Sequence, residues 1–208
     1  MRNESVKRVI DVLGAGAGLL CLSPVTLGAA IGVRLAHGSP VLFRQERPGL
    51  HGRPFFLYKF RTMREPRSGE DMLASDGDRI TPLGRFLRAS SIDELPSLLN
   101  VLKGDMSLVG PRPLLMRYLD RYTPEQARRH DVKPGITGLA QVRGRNALSW
   151  EEKFALDLEY VDNWSLLLDF QILIETVWKV VARKDVSHVG HATMPEFMGT
   201  RAVDQACA

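Results

Sequence analysis

Twenty-two consecutive residues, Val12 to Val33, carry no charge. At about 1.5 Å per residue a helix of that length reaches across a hydrocarbon core of about 30 Å, so a membrane-embedded segment is expected. Lys7 and Arg8 ahead of it resemble the start of a cleaved signal. The apolar stretch is too long for one, however, and Gly18-Leu19-Leu20-Cys21 lacks the small residue expected just before a lipoprotein cysteine. Ser23-Pro24 stands near the midpoint of the run. Proline removes a backbone hydrogen bond and clashes with the preceding turn, and the Ser23 hydroxyl can bond a carbonyl freed by the break. Cations flank both sides: Arg2, Lys7 and Arg8 before, Arg34, Arg44, Arg47 and Arg53 after. If positive charge marks the cytoplasmic side, both ends lie there. The expectation is a re-entrant membrane helix-break-helix over residues 1–36, with a kinked spanning helix as the alternative.

Residues 37–208 read as a small catalytic-sized unit. Val41 to Gln45 and Phe55 to Phe60 have strand character and are joined by a turn region holding Pro48-Gly49 and Gly52, which predicts a β-hairpin. Arg64 to Arg79 is polar and reads as a surface linker. Helices are expected over Leu83–Ala89, from Ser91 or Leu95 to Lys103 with Gly104 as the stop, then Leu114–Tyr122, Pro124–Asp131, Trp150–Tyr160 and Ser165–Val181. Apolar residues in Trp164–Val181 are too dense for one narrow stripe and read as core packing. The fold class is therefore α+β and α-dominated: a re-entrant hairpin followed by a mostly helical domain with a β-hairpin. Cys21 and Cys207 form neither a disulfide framework nor a metal-ligand spacing, which fits a reducing setting. A net charge of +4 suits nucleic acid, an anionic membrane or a phosphorylated substrate equally, so position has to decide.

Three constellations could carry chemistry. Adjacent Asp93-Glu94 falls at or beside a helix N-terminus, and Lys59, Arg61, Arg85, Arg88, Lys103 and Arg112 surround it in sequence. A solvated first turn is the bland reading of such a pair. An ionised aspartate held there can attack phosphorus, and paired acids suit magnesium, which takes one or two carboxylates plus phosphate oxygens. Gly110-Pro111-Arg112-Pro113 stiffens the backbone around one guanidinium, suited to bidentate contact with a diphosphate, or forms a plain rigid turn. Lys133 to Gly138 with Gln141 to Asn146 is a glycine-rich, cationic stretch that could cradle phosphate, though it matches neither the P-loop nor the dinucleotide fingerprint. Arg117, Arg121, Arg128, Arg129 and Lys133 read as a solvated basic surface or a contact for anionic lipid.

Lys7-Arg8-Val9-Ile10-Asp11, Ser23-Pro24, Gln45-Glu46-Arg47-Pro48-Gly49, Lys59-Phe60-Arg61-Thr62-Met63, Ser91 to Pro96, Asn100 to Ser107, Gly110 to Pro113 and Lys133 to Gly138 stand in an order that resembles the bacterial sugar transferases, the monotopic polyprenyl-phosphate phosphoglycosyl transferases. The likeness covers nearly the whole chain, whose length matches the smallest members. It implies a nucleophilic Asp93, an acidic partner Glu94, a Mg2+ ion held by both, a phosphate-binding Arg112, and Lys59, Arg88, Gln141 and Arg145 around the diphosphate or uridine. The implied reaction moves a sugar-1-phosphate from a UDP-sugar to undecaprenyl phosphate and releases UMP. It takes place at the cytoplasmic face of the bacterial inner membrane, in contact with membrane lipids, without nucleic acid, and with a homodimer left open. Within the family the likeness points to the N,N′-diacetylbacillosamine-1-phosphate transferases, although Arg143 stands where asparagine is expected in them. A membrane-tethered scaffold without catalysis, or a glycosyl transferase releasing UDP, are the rival readings. The first leaves Asp93-Glu94 without a purpose and finds no nucleic-acid motif in the spacing.

Overall fold

A computed structural model describes residues 3–65, 79–144, 148–182 and 196–200. Arg145 and most of the polar 64–79 stretch lie outside them. Helix α1 (Glu4–Cys21) opens on Asn3, whose side chain accepts from the Val6 N–H, and α2 (Ser23–His37) begins after Leu22 at an angle of 63°. The break falls where Ser23-Pro24 predicted it. Pro24 occupies the first turn of α2, where no N–H partner is needed, and Ser23 Oγ donates to the Leu20 carbonyl at 2.7 Å. Among the described residues no single helix is long and apolar enough to cross a membrane, whereas this bent pair has the length and composition together. Ala15 and Val33 are buried, but many of the larger apolar side chains of the pair face outward. Leu13, Leu20, Leu27 and Leu35 are exposed, while Asp11 is buried.

Strands β1 (Leu42–Pro48) and β2 (Pro54–Phe60) form the expected antiparallel hairpin, pairing Leu42 with Phe60 through Pro48 with Pro54. Opposed residues share a face, so Gln45, Arg47, Phe55, Leu57 and Lys59 line the same side. The free edge of β2 is closed by side chains from the next segment. Asn100, fully buried, accepts from the Tyr58 N–H at 3.1 Å and donates to the Phe56 carbonyl at 2.7 Å, and Ser97 Oγ donates to the Tyr58 carbonyl.

Helix α3 (Pro82–Ala89) is capped by Thr81. A 3-10 helix, Ile92–Ser97, then runs directly into α4 (Leu98–Lys103), which Gly104 ends in the left-handed conformation. Ser91 and Glu94 have the spacing of a capping box, but none forms. Ser91 is itself left-handed at φ 56°, and the Glu94 carboxylate is taken by two cations instead of reaching back. Another correction concerns Leu114–Tyr122. Leu115 is extended and only Met116–Arg121 turns, as a 3-10 helix, downstream of a segment that Pro111 and Pro113 keep out of the helical region.

Two short strands that the sequence did not signal, β3 (Ser107–Val109) and β4 (Gly135–Thr137), pair in parallel. Their pairing explains the glycines of the third constellation. A Cβ on Gly138 would lie 2.2 Å from the Gly110 carbonyl oxygen, and one on Gly135 would lie 2.1 Å from the Gly110 nitrogen. Close backbone packing by itself requires these glycines.

After the short α5 (Pro124–Ala127), helices α6 (Leu139–Arg143), α7 (Trp150–Asn163) and α8 (Leu166–Ala182) complete the described fold. Ala15 of α1 packs with Phe55, Leu57, Val101 and Met106, which seats the N-terminal pair on the hairpin and α4. Val109, Leu139, Val142, Tyr160 and Ile172 form a second core between β3, α6, α7 and α8. Core packing accounts for only one side of α8. Leu167, Phe170, Ile174, Val177 and Trp178 are all more than half exposed, whereas Trp164 just before the helix packs inward and donates its indole N–H to Asp169.

Candidate active site

Asp93 and Glu94 occupy the first turn of the 3-10 helix, one residue beyond the left-handed Ser91. That conformation costs a non-glycine residue about 1 kcal/mol, and here it sets the course of the chain into the acidic pair. Glu94 Oε1 accepts from Lys59 Nζ at 2.6 Å and from Arg112 Nη2 at 2.5 Å. Lys59 arrives on the inner face of β2, held in register by the Asn100 contacts one residue away. Arg112 arrives from the segment after β3. Its carbonyl accepts from Arg129 Nη2 at 2.8 Å, and Arg129 is bound in turn to Asp157 at 2.6 and 3.0 Å, both residues almost fully buried. Arg88, on α3, donates to Thr62 Oγ1 and places its charge near Asp93.

The two neighbouring acids have opposite electrostatics. Burial would raise the Glu94 carboxyl, but the Arg112 and Lys59 charges outweigh it and hold Glu94 well below the usual carboxylate range. Asp93 is pushed up to about 6, by burial first and by the Glu94 charge second, against the opposing pull of Lys59, Arg112 and Arg88. Among the described residues Asp93 makes no hydrogen bond or ion pair. It is thus a largely buried carboxylate without a protein partner among the described residues, beside three cations. The carboxylate of the pair free to meet a metal ion or an electrophile is Asp93; both Glu94 oxygens already accept from cations. Among the described residues no three His, Cys, Asp or Glu side chains converge, so any metal here would draw most of its ligands from substrate and water.

Of the residues singled out from sequence, the structure brings Lys59, Arg88, Asp93, Glu94 and Arg112 around one centre. Gln141, on α6, has both amide atoms buried without a partner among the described residues. Arg145 lies outside the described residues, and Ser23 and Pro24 sit at the helix break. Sequence reasoning missed Arg47, which it counted with the basic stretch behind the anchor and which lines a pocket with Lys59, Glu94 and Arg112. Arg129, read as surface, is buried against Asp157. Only its spacing to an acid on a distant helix distinguishes it, which a single sequence does not reveal. Lys7 and Arg8, read as flanking cations, turn inward: Lys7 pairs with Asp169 and Arg8 donates to the Val101 and Leu102 carbonyls at the end of α4.

The sequence model of the family described as bacterial sugar transferase matches residues 2–183. An uncharacterized sugar transferase of Bacillus subtilis, EpsL, is 57% identical over 94% of this chain and 96% of its own length. The UDP-glucose:undecaprenyl-phosphate glucose-1-phosphate transferase of Caulobacter vibrioides is 46% identical over 82% of this chain and 68% of its own. An undecaprenyl-phosphate galactose phosphotransferase of Salmonella typhimurium is 40% identical over 86% of this chain, which spans 41% of that larger protein. With an acidic pair set among cations, a bent apolar helix pair and a family match over residues 2–183, the chain belongs to the bacterial sugar transferase family.

Proposed function

We propose that the chain is a sugar-1-phosphate transferase that moves the phospho-sugar of a UDP-sugar to undecaprenyl phosphate at the cytoplasmic face of the bacterial inner membrane. The observation that carries the reading is Asp93, a buried carboxylate with no partner, flanked by Lys59, Arg88 and Arg112. An Asp93 oxygen attacks the phosphorus that bears the sugar. The bond from that phosphorus to the bridging oxygen breaks, and UMP departs with the oxygen and its electron pair. The group is left as a phospho-sugar ester of Asp93. An oxygen of undecaprenyl phosphate then attacks the same phosphorus, Asp93 leaves as carboxylate, and the product is undecaprenyl diphosphate sugar. Arg112 and Lys59, preorganised by Glu94, offset the charge that grows on the departing phosphate. A magnesium ion, carried by the diphosphate oxygens and Asp93, would supply further neutralisation.

Membrane contact is supported by the bent pair and by the exposed apolar side chains of α1, α2 and α8. For the sugar, the relatives with a named substrate point to glucose and galactose, and the diacetylbacillosamine expectation gains no support from them. The test is UMP release from a panel of UDP-glucose, UDP-galactose and UDP-N-acetylated amino sugars, UDP-diacetylbacillosamine included, with undecaprenyl phosphate and magnesium. UMP from at least one donor, lost in Asp93→Asn, is the expected result. UDP in place of UMP would establish the glycosyl transferase instead, and no release from any donor would leave the scaffold reading standing.

A further inference from the structure

Arg47 is a cation at this centre that the chemistry above does not use. It lies on the inner face of the hairpin, opposite Phe55 and on the same side as Leu57 and Lys59, where the strand pattern calls for apolar side chains. An inward guanidinium is costly unless matched. Its matches are incomplete. Nη2 donates to Gln45 Oε1 at 2.6 Å and Nη1 reaches the Pro113 carbonyl at only 3.5 Å. The Nε–H is buried without a partner, and no carboxylate among the described residues pairs with Arg47. Burial, and after it the repulsion of Arg112, push its proton affinity down to about 10, as expected for a cation without its counter-ion. Arg47 lines a pocket with Lys59, Glu94, Ser97, Met106 and Arg112, on the Glu94 side of the acidic pair and without Asp93 in its walls. Three cations there face one carboxylate.

We propose that this pocket is a phosphate site and that Arg47 is a substrate-binding residue, its guanidinium supplying donors to a phosphate that is not the one attacked by Asp93. The assignment rests on the transferase reading. Two such phosphates come to the centre, the one that leaves with the nucleotide and the one at the head of the polyprenyl acceptor. Either has the bidentate oxygen geometry that a guanidinium recognises.

The experiment measures binding without turnover, using purified full-length chain in nanodiscs, with UMP as one probe and farnesyl phosphate as the other. Wild type is compared with Arg47→Gln and with Arg47→Lys, which keeps the charge but loses the fork and serves if the glutamine variant does not fold. The expected result is a loss of affinity of about tenfold to a hundredfold for one probe in Arg47→Gln, with a smaller loss in Arg47→Lys and a thermal midpoint close to wild type. Loss confined to UMP assigns the nucleotide phosphate, and loss confined to farnesyl phosphate assigns the acceptor. Loss of both assigns one pocket used in turn. Unchanged affinity for both probes, whether or not the midpoint falls, overturns the proposal and leaves Arg47 a brace for Gln45 and Pro113. Failure of wild type to release UMP from any donor would defeat the transferase reading, but the binding comparison would still be read.

Discussion

Asp11, Asp157, Asp169 and Asp93 are buried to a similar depth, between 3% and 8% exposed, yet their surroundings differ in kind. In the region where α1 meets β3 and α8, the acids accept hydrogen bonds from named donors. Asp11 accepts from Ser107 Oγ and from the Leu108 N–H, both at 3.0 Å. Asp169 accepts from Lys7, Tyr160 and Trp164. Behind Arg112, Asp157 holds Arg129. At the candidate active site Asp93 has charges nearby and no donor among the described residues. Cutting a matched pair leaves a buried group uncompensated, even though burial still raises the Asp157 carboxyl against the pull of Arg129. An unmatched acid is a cost that the fold carries for another purpose, and such groups mark functional sites.

This contrast is breakable by substitution, and the largest effect is expected where a matched pair is cut. Asp157→Ala leaves Arg129 as a buried cation without its partner and frees the clamp on the Arg112 carbonyl. Denaturant titration should show a loss of about 3–5 kcal/mol, with activity falling as Arg112 loses its position. A loss below about 1 kcal/mol would mean that water or another acid replaces Asp157 readily. Next comes Asp11→Ala, which strips the acceptor from Ser107 and Leu108 at the junction of the anchor and β3. The expected cost is about 1–3 kcal/mol, again by denaturant titration, and an unchanged midpoint would show that the junction is held by apolar contacts alone.

The opposite sign is expected at Asp93. A carboxyl raised from 3.8 to about 6 destabilises the native state once ionised. The stability associated with its protonated form is therefore complete below the unfolded value and is lost as pH rises through about 6. Asp93→Asn mimics that neutral form. It should be more stable than wild type by about 1–3 kcal/mol above pH 7, and the gap should close below pH 4. A variant less stable than wild type at pH 7 would show that Asp93 is matched after all.

The smallest effect sharpens the same point about strain. Ser91→Gly relieves a left-handed backbone and should add up to about 1 kcal/mol, less the flexibility glycine gives the unfolded chain. A large loss on thermal melting would show that the Ser91 side chain has a role beyond its backbone.

Much of this contrast was legible in the sequence, for identifiable reasons. The break at Ser23-Pro24, the hairpin and the helices α3, α7 and α8 follow from local signals: proline, turn residues and periodicity. Lys59, Asp93, Glu94 and Arg112 were legible because acids among cations and a proline-braced arginine leave short-range marks. What local signals could not convey was inward or outward direction over long separations. Lys7, Arg8, Arg47 and Arg129 look alike in sequence as basic surface, and each is turned inward by a partner 28 to 162 positions away or lines a pocket. The β3–β4 pairing was missed because three-residue strands carry no period, so the glycines at 110, 135 and 138 suggested a ligand and gave no sign of the backbone contact that by itself requires them.

The central claim is that Asp93 is unmatched because it is the nucleophile. It is tested most directly by mixing stoichiometric enzyme with UDP-sugar and magnesium in the absence of any polyprenyl phosphate, then reading UMP and intact protein mass on the same samples. The expected result is release of up to one equivalent of UMP, with a phospho-sugar mass on the peptide that contains Asp93. Both signals should be absent in Asp93→Asn and weaker below pH 6, where the carboxyl is protonated. UMP that appears only after polyprenyl phosphate is added, or an adduct on a different residue, would contradict the claim and make Asp93 an electrostatic or metal-binding group in a direct transfer.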